Sequence, residues 1–197
     1  MLKIKYIDNS TIKQFNTNQI GCAYFSTRFN EYSQQQNKLN VYCEYVLLKN
    51  LLKSINIDLD KQTIIKISSG KPIFDNLKIF FNISHSKDLV AVAISSNPIG
   101  IDIQAISPYN AKVAQKYFNT DELTVIEKSK NKDIQFTKYW TKYESMLKLF
   151  GSRKEMLNKN VKVNTKFKNV KDLNNTKYSL CISTSKHISL DNPTTLW

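Results

Sequence analysis

The chain has 197 residues, enough for one substantial core or two small halves packed together, and 41% hydrophobic and 11% aromatic residues exclude a disordered polymer. Its 29 basic against 16 acidic side chains give a net charge of +13, which suits nucleic acid, an anionic surface, a phosphorylated ligand or an acidic protein. The sign does not choose among these partners. Arg28 and Arg153 are the sole arginines and asparagine occurs 21 times, a compositional bias that by itself leaves many lysines as solvated surface.

Cys22, Cys43 and Cys181 are odd in number and lack CxxC spacing, so the pattern points to neither a disulfide framework nor a zinc site. The first residues, Met1-Leu2-Lys3-Ile4-Lys5-Tyr6, have no continuous apolar signal region, and no run approaches the length of a membrane span. A soluble cytoplasmic protein is expected, with no membrane partner.

In chain order, Leu39, Val41, Tyr42, Tyr45, Val46, Leu48, Leu51 and Leu52 recur at helical spacing and predict an amphipathic helix. Residues 63–67, 77–81 and 89–94 read as strands, each bounded by Gly, Pro, Asn or Ser. The turn Ser95-Ser96-Asn97-Pro98 divides the chain near its midpoint, giving expected halves of 1–97 and 98–197. The second half opens with a strand over 99–103, followed by helix signals over 111–118 and, behind Thr120 as the expected cap, over 121–128. The longest helix carries the stripe Phe136, Trp140, Tyr143, Leu147 and Phe150 and ends at Gly151. Residues 161–163 and 178–182 alternate as half-buried strands do. The expected class is α+β.

Four glycines and four prolines serve the whole chain, so where they fall is informative. Gly70 and Pro72 flank Lys71, Pro98 and Gly100 precede Asp102, and Gly151 follows the helix that bears Glu144; the three segments suit a ligand's close approach, or are ordinary turns. In the strand over 99–103, Ile101 and Ile103 take one face, while Asp102 and Gln104 share the other. Such an acid is either solvated or a cation ligand. On the long helix, Glu144, Lys148, Thr141 and Thr137 form a polar face, which reads as an exposed Glu–Lys pair or as a carboxylate and an ammonium serving a metal and a phosphate. Asn82-Ile83-Ser84-His85-Ser86 is expected to close the preceding strand, as a phosphate-binding segment or as a capped turn with a satisfied histidine. His187 has no comparable setting and reads as structural or exposed.

Taken in order, Gly70-Lys71-Pro72, Phe81-Asn82-Ile83-Ser84-His85-Ser86, Ile99-Gly100-Ile101-Asp102-Ile103, and Trp140 with Glu144, Ser145 and Lys148 resemble the signature of the 4′-phosphopantetheinyl transferase superfamily, in particular its surfactin-synthetase-activating type. The resemblance spans residues 70–148. It implies two similar α/β halves forming a pseudo-dimer, with coenzyme A between them, and a monomer that does not act on nucleic acid. It further implies that Lys71, Ser84 and His85 contact the region of the adenosine 3′-phosphate. Asp102 and Glu144 would bind Mg²⁺ on the pyrophosphate, with Gln104 a third position, directly or through water. Lys148 would neutralise phosphate charge and Glu144 would act as base toward a serine of an acyl or peptidyl carrier protein. Two positions depart from the pattern: Gln104, where an acid is common, and Tyr143, where a lysine is common. Arg28 and Lys38 are candidates for further basic contacts. The alternatives are a basic nucleic-acid-binding protein and a coenzyme A-binding relative without turnover.

Overall fold

The computed structural model describes residues 2–8, 23–31, 35–87, 89–158, 164–171, 177–185 and 194–195. Cys22, His187 and the expected strand over 161–163 lie outside the described residues. Helices α1 (Ala23–Glu31) and α2 (Gln35–Lys53) follow strand β1 (Leu2–Asp8); a short 3-10 turn at Leu59–Lys61 leads to β2 (Ile64–Lys66) and β3 (Pro72–Phe74). Next come β4 (Phe80–Ser86), β5 (Leu89–Ser95), β6 (Ile99–Ala105), α3 (Ala111–Tyr117), α4 (Thr120–Lys128), α5 (Lys132–Phe150) and α6 (Arg153–Asn158). Strands β7 (Asn164–Lys171), β8 (Lys177–Thr184) and β9 (Thr194–Thr195) complete the described elements. The α+β expectation holds.

Three sheets result, ordered β4-β5-β1-β9, β2-β3 and β6-β8-β7. In the first, β4 and β1 both pair antiparallel with β5; in the third, β7 and β6 both pair antiparallel with β8. Each half therefore opens with a strand, continues through helices, and returns as a hairpin whose second strand pairs with the opening one. Strand β9 joins the first half's sheet, parallel to β1, so residues beyond 97 contribute to that sheet.

Strand β5 is buried along its whole length because it is covered on both faces, which is what an unbroken apolar run signals. Val90, Val92 and Ile94 pack with Val41, Leu48, Leu51 and Leu52 of α2. The alternate residues Leu89, Ala91 and Ala93 pack with Ile99, Ile101 and Ile103 of β6 and Leu180 and Ile182 of β8. Small residues at 91 and 93 let the β6-β8-β7 sheet come close.

Three expectations about elements change. The strand expected over 77–81 instead begins at Phe80 and runs through Ser86, so Asn82-Ile83-Ser84-His85-Ser86 is strand and not a closing turn. Helix α4 is capped by Asn119, whose side chain accepts from the Glu122 N–H while Glu122 returns to the Asn119 N–H, a capping box that places Thr120 inside the helix. On α5, the residues most deeply buried include Thr137 and Thr141, members of the face expected to be polar, together with Ser145. Trp140 and Tyr143 are only half-buried and pack with Tyr117 of α3. Gly151 does end α5, in the left-handed region at φ 87°.

That inversion follows from the sheet beneath the helix. Gly100, Asp102 and Gln104 of β6 stand opposite Ser183, Cys181 and Ser179 of β8, so one face of this sheet is small and polar. Ser145 Oγ lies 2.7 Å from Ser183 Oγ and 3.3 Å from Cys181 Sγ, which satisfies the buried hydroxyls. Helix and sheet approach so closely that a Cβ on Gly100 would stand 1.9 Å from the Ser145 carbonyl oxygen and 2.5 Å from the Leu149 nitrogen. Both are backbone atoms of α5 and cannot rotate away. Gly100→Ala should therefore lower stability by about 3 kcal/mol, the upper end for overpacking a core, measured as a lower urea midpoint with an unchanged slope.

Candidate active site

The site is assembled where two sheet edges meet. Residues Asn82, Ser84 and Ser86 point from β4 toward β6, at every second position as a strand requires. There the Ile101 N–H donates to Asn82 Oδ1 at 2.8 Å, the Ile103 N–H to Ser84 Oγ at 3.2 Å, and the Ala105 N–H to Ser86 Oγ at 3.0 Å. These amides lie on the side of β6 away from β8, where an edge strand would otherwise leave them without sheet partners. Three side chains thus take the place of a neighbouring strand's carbonyls.

Asp102 sits on this seam, 1% exposed. Ser84 Oγ donates to Asp102 Oδ1 at 2.8 Å, Lys148 Nζ donates to the same oxygen at 2.7 Å and to Ser84 Oγ at 2.8 Å, and the Gln104 side-chain nitrogen donates to Asp102 Oδ2 at 3.1 Å. A buried carboxylate needs this degree of pairing, since the cost of taking it out of water is several kcal/mol per ion. Lys148 pairs with Asp102 across the sheet instead of with Glu144 one turn earlier on its own helix. Glu144 is half-buried, and its carboxyl is raised by burial first, then by the charge of Asp102, against the opposing pull of Lys148. Two carboxylates in mutual repulsion are hard oxygen donors of the kind Mg²⁺ takes, so Asp102 and Glu144 could hold such an ion. Gln104 presents its nitrogen, not its oxygen, to Asp102. Among the described residues, no group of three or more His, Cys, Asp or Glu is placed to hold a metal.

The other residues singled out from sequence divide. Ser84 and His85 lie on opposite faces of β4, so their side chains do not converge. Ser84 is buried and saturated, with two donors reaching its oxygen and its own proton on Asp102. His85 faces α2, with Nδ1 3.5 Å from the Asn40 amide and Nε2 3.9 Å from Glu44. Burial first, then Lys148 and Arg28, holds its imidazole below the usual value. Lys71 donates to the carbonyl oxygens of Ile99, Lys148 and Leu149. Lys38 lies over the Phe29 ring, 5.5 Å from its centroid.

One acid escapes a search by motif. Glu44 is fully buried on α2, paired with Arg28 at 3.2 Å. Burial raises its carboxyl to about 7, opposed by Arg28 and then by Lys148. Arg28 and His85 thus approach one buried acid, whose carboxyl also feels the charge of Lys148. The signal in the sequence was an acid inside the apolar run Val41-Tyr42-Cys43-Glu44-Tyr45, the same signal that drew attention to Asp102.

An α+β chain whose second half presents paired carboxylates and an ammonium at the edge of a three-stranded sheet suits chemistry on a phosphorylated ligand. Residues 98–192 match the family model of the 4′-phosphopantetheinyl transferase superfamily. Over these residues the chain is similar to that superfamily. It is 37% identical over 110 residues to the 4′-phosphopantetheinyl transferase gsp of Aneurinibacillus migulanus, covering 55% of this chain and 46% of that one. Over 86 residues it is 34% identical to the 4′-phosphopantetheinyl transferase psf-1 of Bacillus pumilus, covering 42% of this chain and 37% of that one. Against the 4′-phosphopantetheinyl transferase Sfp of Bacillus subtilis (strain 168), 86 residues are 38% identical, covering 42% of this chain and 38% of the relative. The chain thus spans less than half the length of these curated relatives. Among the described residues, no helix is long and apolar enough to cross a membrane.

The Glu44 carboxyl gives a pH dependence with a defined sign. Its folded value of about 7 lies above its ordinary 4.5, so the folded state holds the proton more tightly. The stability this contributes is fully present below pH 4.5 and is lost as pH rises through 7. Glu44→Gln, which cannot titrate, should gain stability relative to the parent protein across that window. Urea midpoints of both proteins at several pH values measure it; a constant difference would contradict the assignment.

Proposed function

We propose that the protein transfers the 4′-phosphopantetheine moiety of coenzyme A to a serine hydroxyl of an acyl or peptidyl carrier protein, with Mg²⁺, releasing adenosine 3′,5′-bisphosphate. The observation that carries this reading is the Asp102–Lys148–Glu144 cluster at the seam of the two sheets, in the half of the chain that matches the superfamily. The relatives' names support the reaction class. The repeated strand order of the two halves supports a pseudo-dimer of halves 1–97 and 98–197, with coenzyme A lying across their seam.

Asp102 and Glu144 would hold Mg²⁺, which supplies neutralisation of the pyrophosphate charge when bound. Lys148, its side chain 29% exposed at the same place, would add a point charge to the phosphate. Glu144 carries the base role well, because a raised carboxyl is a better proton acceptor. The serine oxygen forms a bond to the β-phosphorus as the bond from that phosphorus to the bridging oxygen breaks. The serine proton passes to Glu144, directly or through water, and the bisphosphate leaves. No covalent enzyme intermediate is required, so alignment and charge account for the rate. The +13 charge would steer an acidic carrier toward the site. A monomer in the cytoplasm, with no nucleic-acid or membrane partner, fits this reading.

Incubation with apo carrier protein, coenzyme A and Mg²⁺ should add the mass of one phosphopantetheine to the carrier by intact-mass spectrometry. Chelation of the metal should stop it. Glu144→Gln keeps the shape of a half-buried side chain and should lower transfer by about a hundredfold or more, within the range expected for loss of a positioned base, without loss of folding. Asp102→Asn should also abolish most transfer, but with a cost in stability, because Lys148 and Ser84 lose a buried acceptor charge. Coenzyme A binding without mass transfer to any of several carriers would instead establish a relative without turnover.

A further inference from the structure

A helix leaves its last four carbonyls without intrahelical partners. At the end of α5, the Leu147 carbonyl accepts from the Gly151 N–H at 2.8 Å, the ordinary left-handed cap. The next two carbonyls are met from a distant part of the chain: Lys71 Nζ lies 2.7 Å from the Lys148 oxygen and 3.5 Å from the Leu149 oxygen. The same ammonium lies 3.1 Å from the carbonyl oxygen of Ile99, the first residue of β6. The ammonium thus makes two hydrogen bonds, at 2.7 and 3.1 Å, and one longer contact at 3.5 Å, all to carbonyls.

The placement matters because of what those two backbones carry. Lys148 belongs to the turn of α5 whose carbonyls Lys71 holds, and its own ammonium rests on Asp102. Asp102 lies three residues along β6 from Ile99. Gly100, between them, sits under the Ser145 carbonyl and the Leu149 nitrogen with no room for a side chain. Helix end and strand start are thus in direct backbone contact, and Lys71 clamps them. Lys71 also lines a groove of about 300 Å³ together with Gly70, Asn82 and Lys148. Burial lowers the Lys71 ammonium to about 8, which accords with an amine enclosed by protein and not with one waiting in solvent.

We propose that Lys71 is a positioning residue, clamping the C-terminal turn of α5 to the start of β6 so that the Lys148 ammonium is held on Asp102, and does not itself contact the co-substrate's phosphates. The inference rests on the transferase reading of that site. A shift of the helix end on the scale of 1 Å costs about a hundredfold in rate when a reacting group depends on it.

The test uses the full chain with coenzyme A and 3′-dephospho-coenzyme A as alternative donors. Lys71→Met should lower kcat by about ten- to a hundredfold with both donors and leave the ratio of their kcat/KM values unchanged. A variant that keeps kcat but loses the preference for coenzyme A would overturn the proposal and make Lys71 a contact to the 3′-phosphate. Lys71→Gln keeps two N–H donors without the charge; it should fold and recover part of the lost kcat, whereas Lys71→Arg, too bulky for the carbonyl cage, should not. The opposite order, with arginine active and glutamine inactive, is the result for a phosphate contact and also overturns it. Absence of transfer by the parent protein would sink the transferase reading, and a second readout then decides Lys71 by itself. The ¹³C resonance of the Asp102 carboxyl should move in Lys71→Met while the rest of the spectrum stays folded, and an unmoved resonance counts against the clamp.

Discussion

Much of this molecule depends on three hydrogen bonds that run from the backbone of one strand to the side chains of another. Strands β4 and β6 are both edges of their sheets, and each would be left with open amides or carbonyls if the two halves packed only through apolar contacts. Asn82, Ser84 and Ser86 resolve this for β6 by accepting from Ile101, Ile103 and Ala105. The apolar residues on the neighbouring strand, Leu89, Ala91 and Ala93, pack against Ile99, Ile101 and Ile103 beside the same seam. Unpaired amides in this setting would each cost about 1–3 kcal/mol, so the polar ladder fixes register as well as contact.

The candidate site follows from that seam. Ser84 does two tasks with one oxygen: it accepts from the β6 backbone and donates to Asp102. Asp102 can be buried because the ladder, Gln104 and Lys148 all meet it, and Lys148 can reach it because Gly100 lets α5 lie on the sheet without an intervening Cβ. A chain of small residues therefore brings charge together. Glu144 is left beside Asp102, where burial first and the neighbouring charge second raise its carboxyl. Stability and reactivity are distributed unevenly over the two acids, and the less satisfied one is suited to take up a proton.

The elements and the site were legible to different degrees. Strands β5 and β6, the end of α5 at Gly151 and the shared face of Asp102 and Gln104 follow from period and punctuation, because alternation and a left-handed cap are local properties. The span of β4 did not: Asn82, Ser84 and Ser86 read as turn residues by type, although their spacing of two is that of a strand face. The burial of Thr137, Thr141 and Ser145 was hidden for a related reason. Polarity ordinarily marks a solvated helix face; here it is buried because Ser145 meets Ser183 of the sheet, Thr137 accepts from the Ser107 N–H and Thr141 donates to the Thr137 carbonyl.

By itself the sequence singled out the residues proposed to carry the chemistry: an acid in an apolar strand, an acid and a lysine one turn apart on a long helix, and glycines beside both, in an order that resembles one superfamily. It could not determine partners. That Lys148 answers Asp102 instead of Glu144, that Ser84 and His85 part to opposite faces, and that Lys71 spends its ammonium on three carbonyls were decided by tertiary structure. The physical reason is common to all three. A buried charge or donor takes whatever acceptor lies within about 3 Å, and that distance is set by how two sheets and a helix come together, not by separation along the chain.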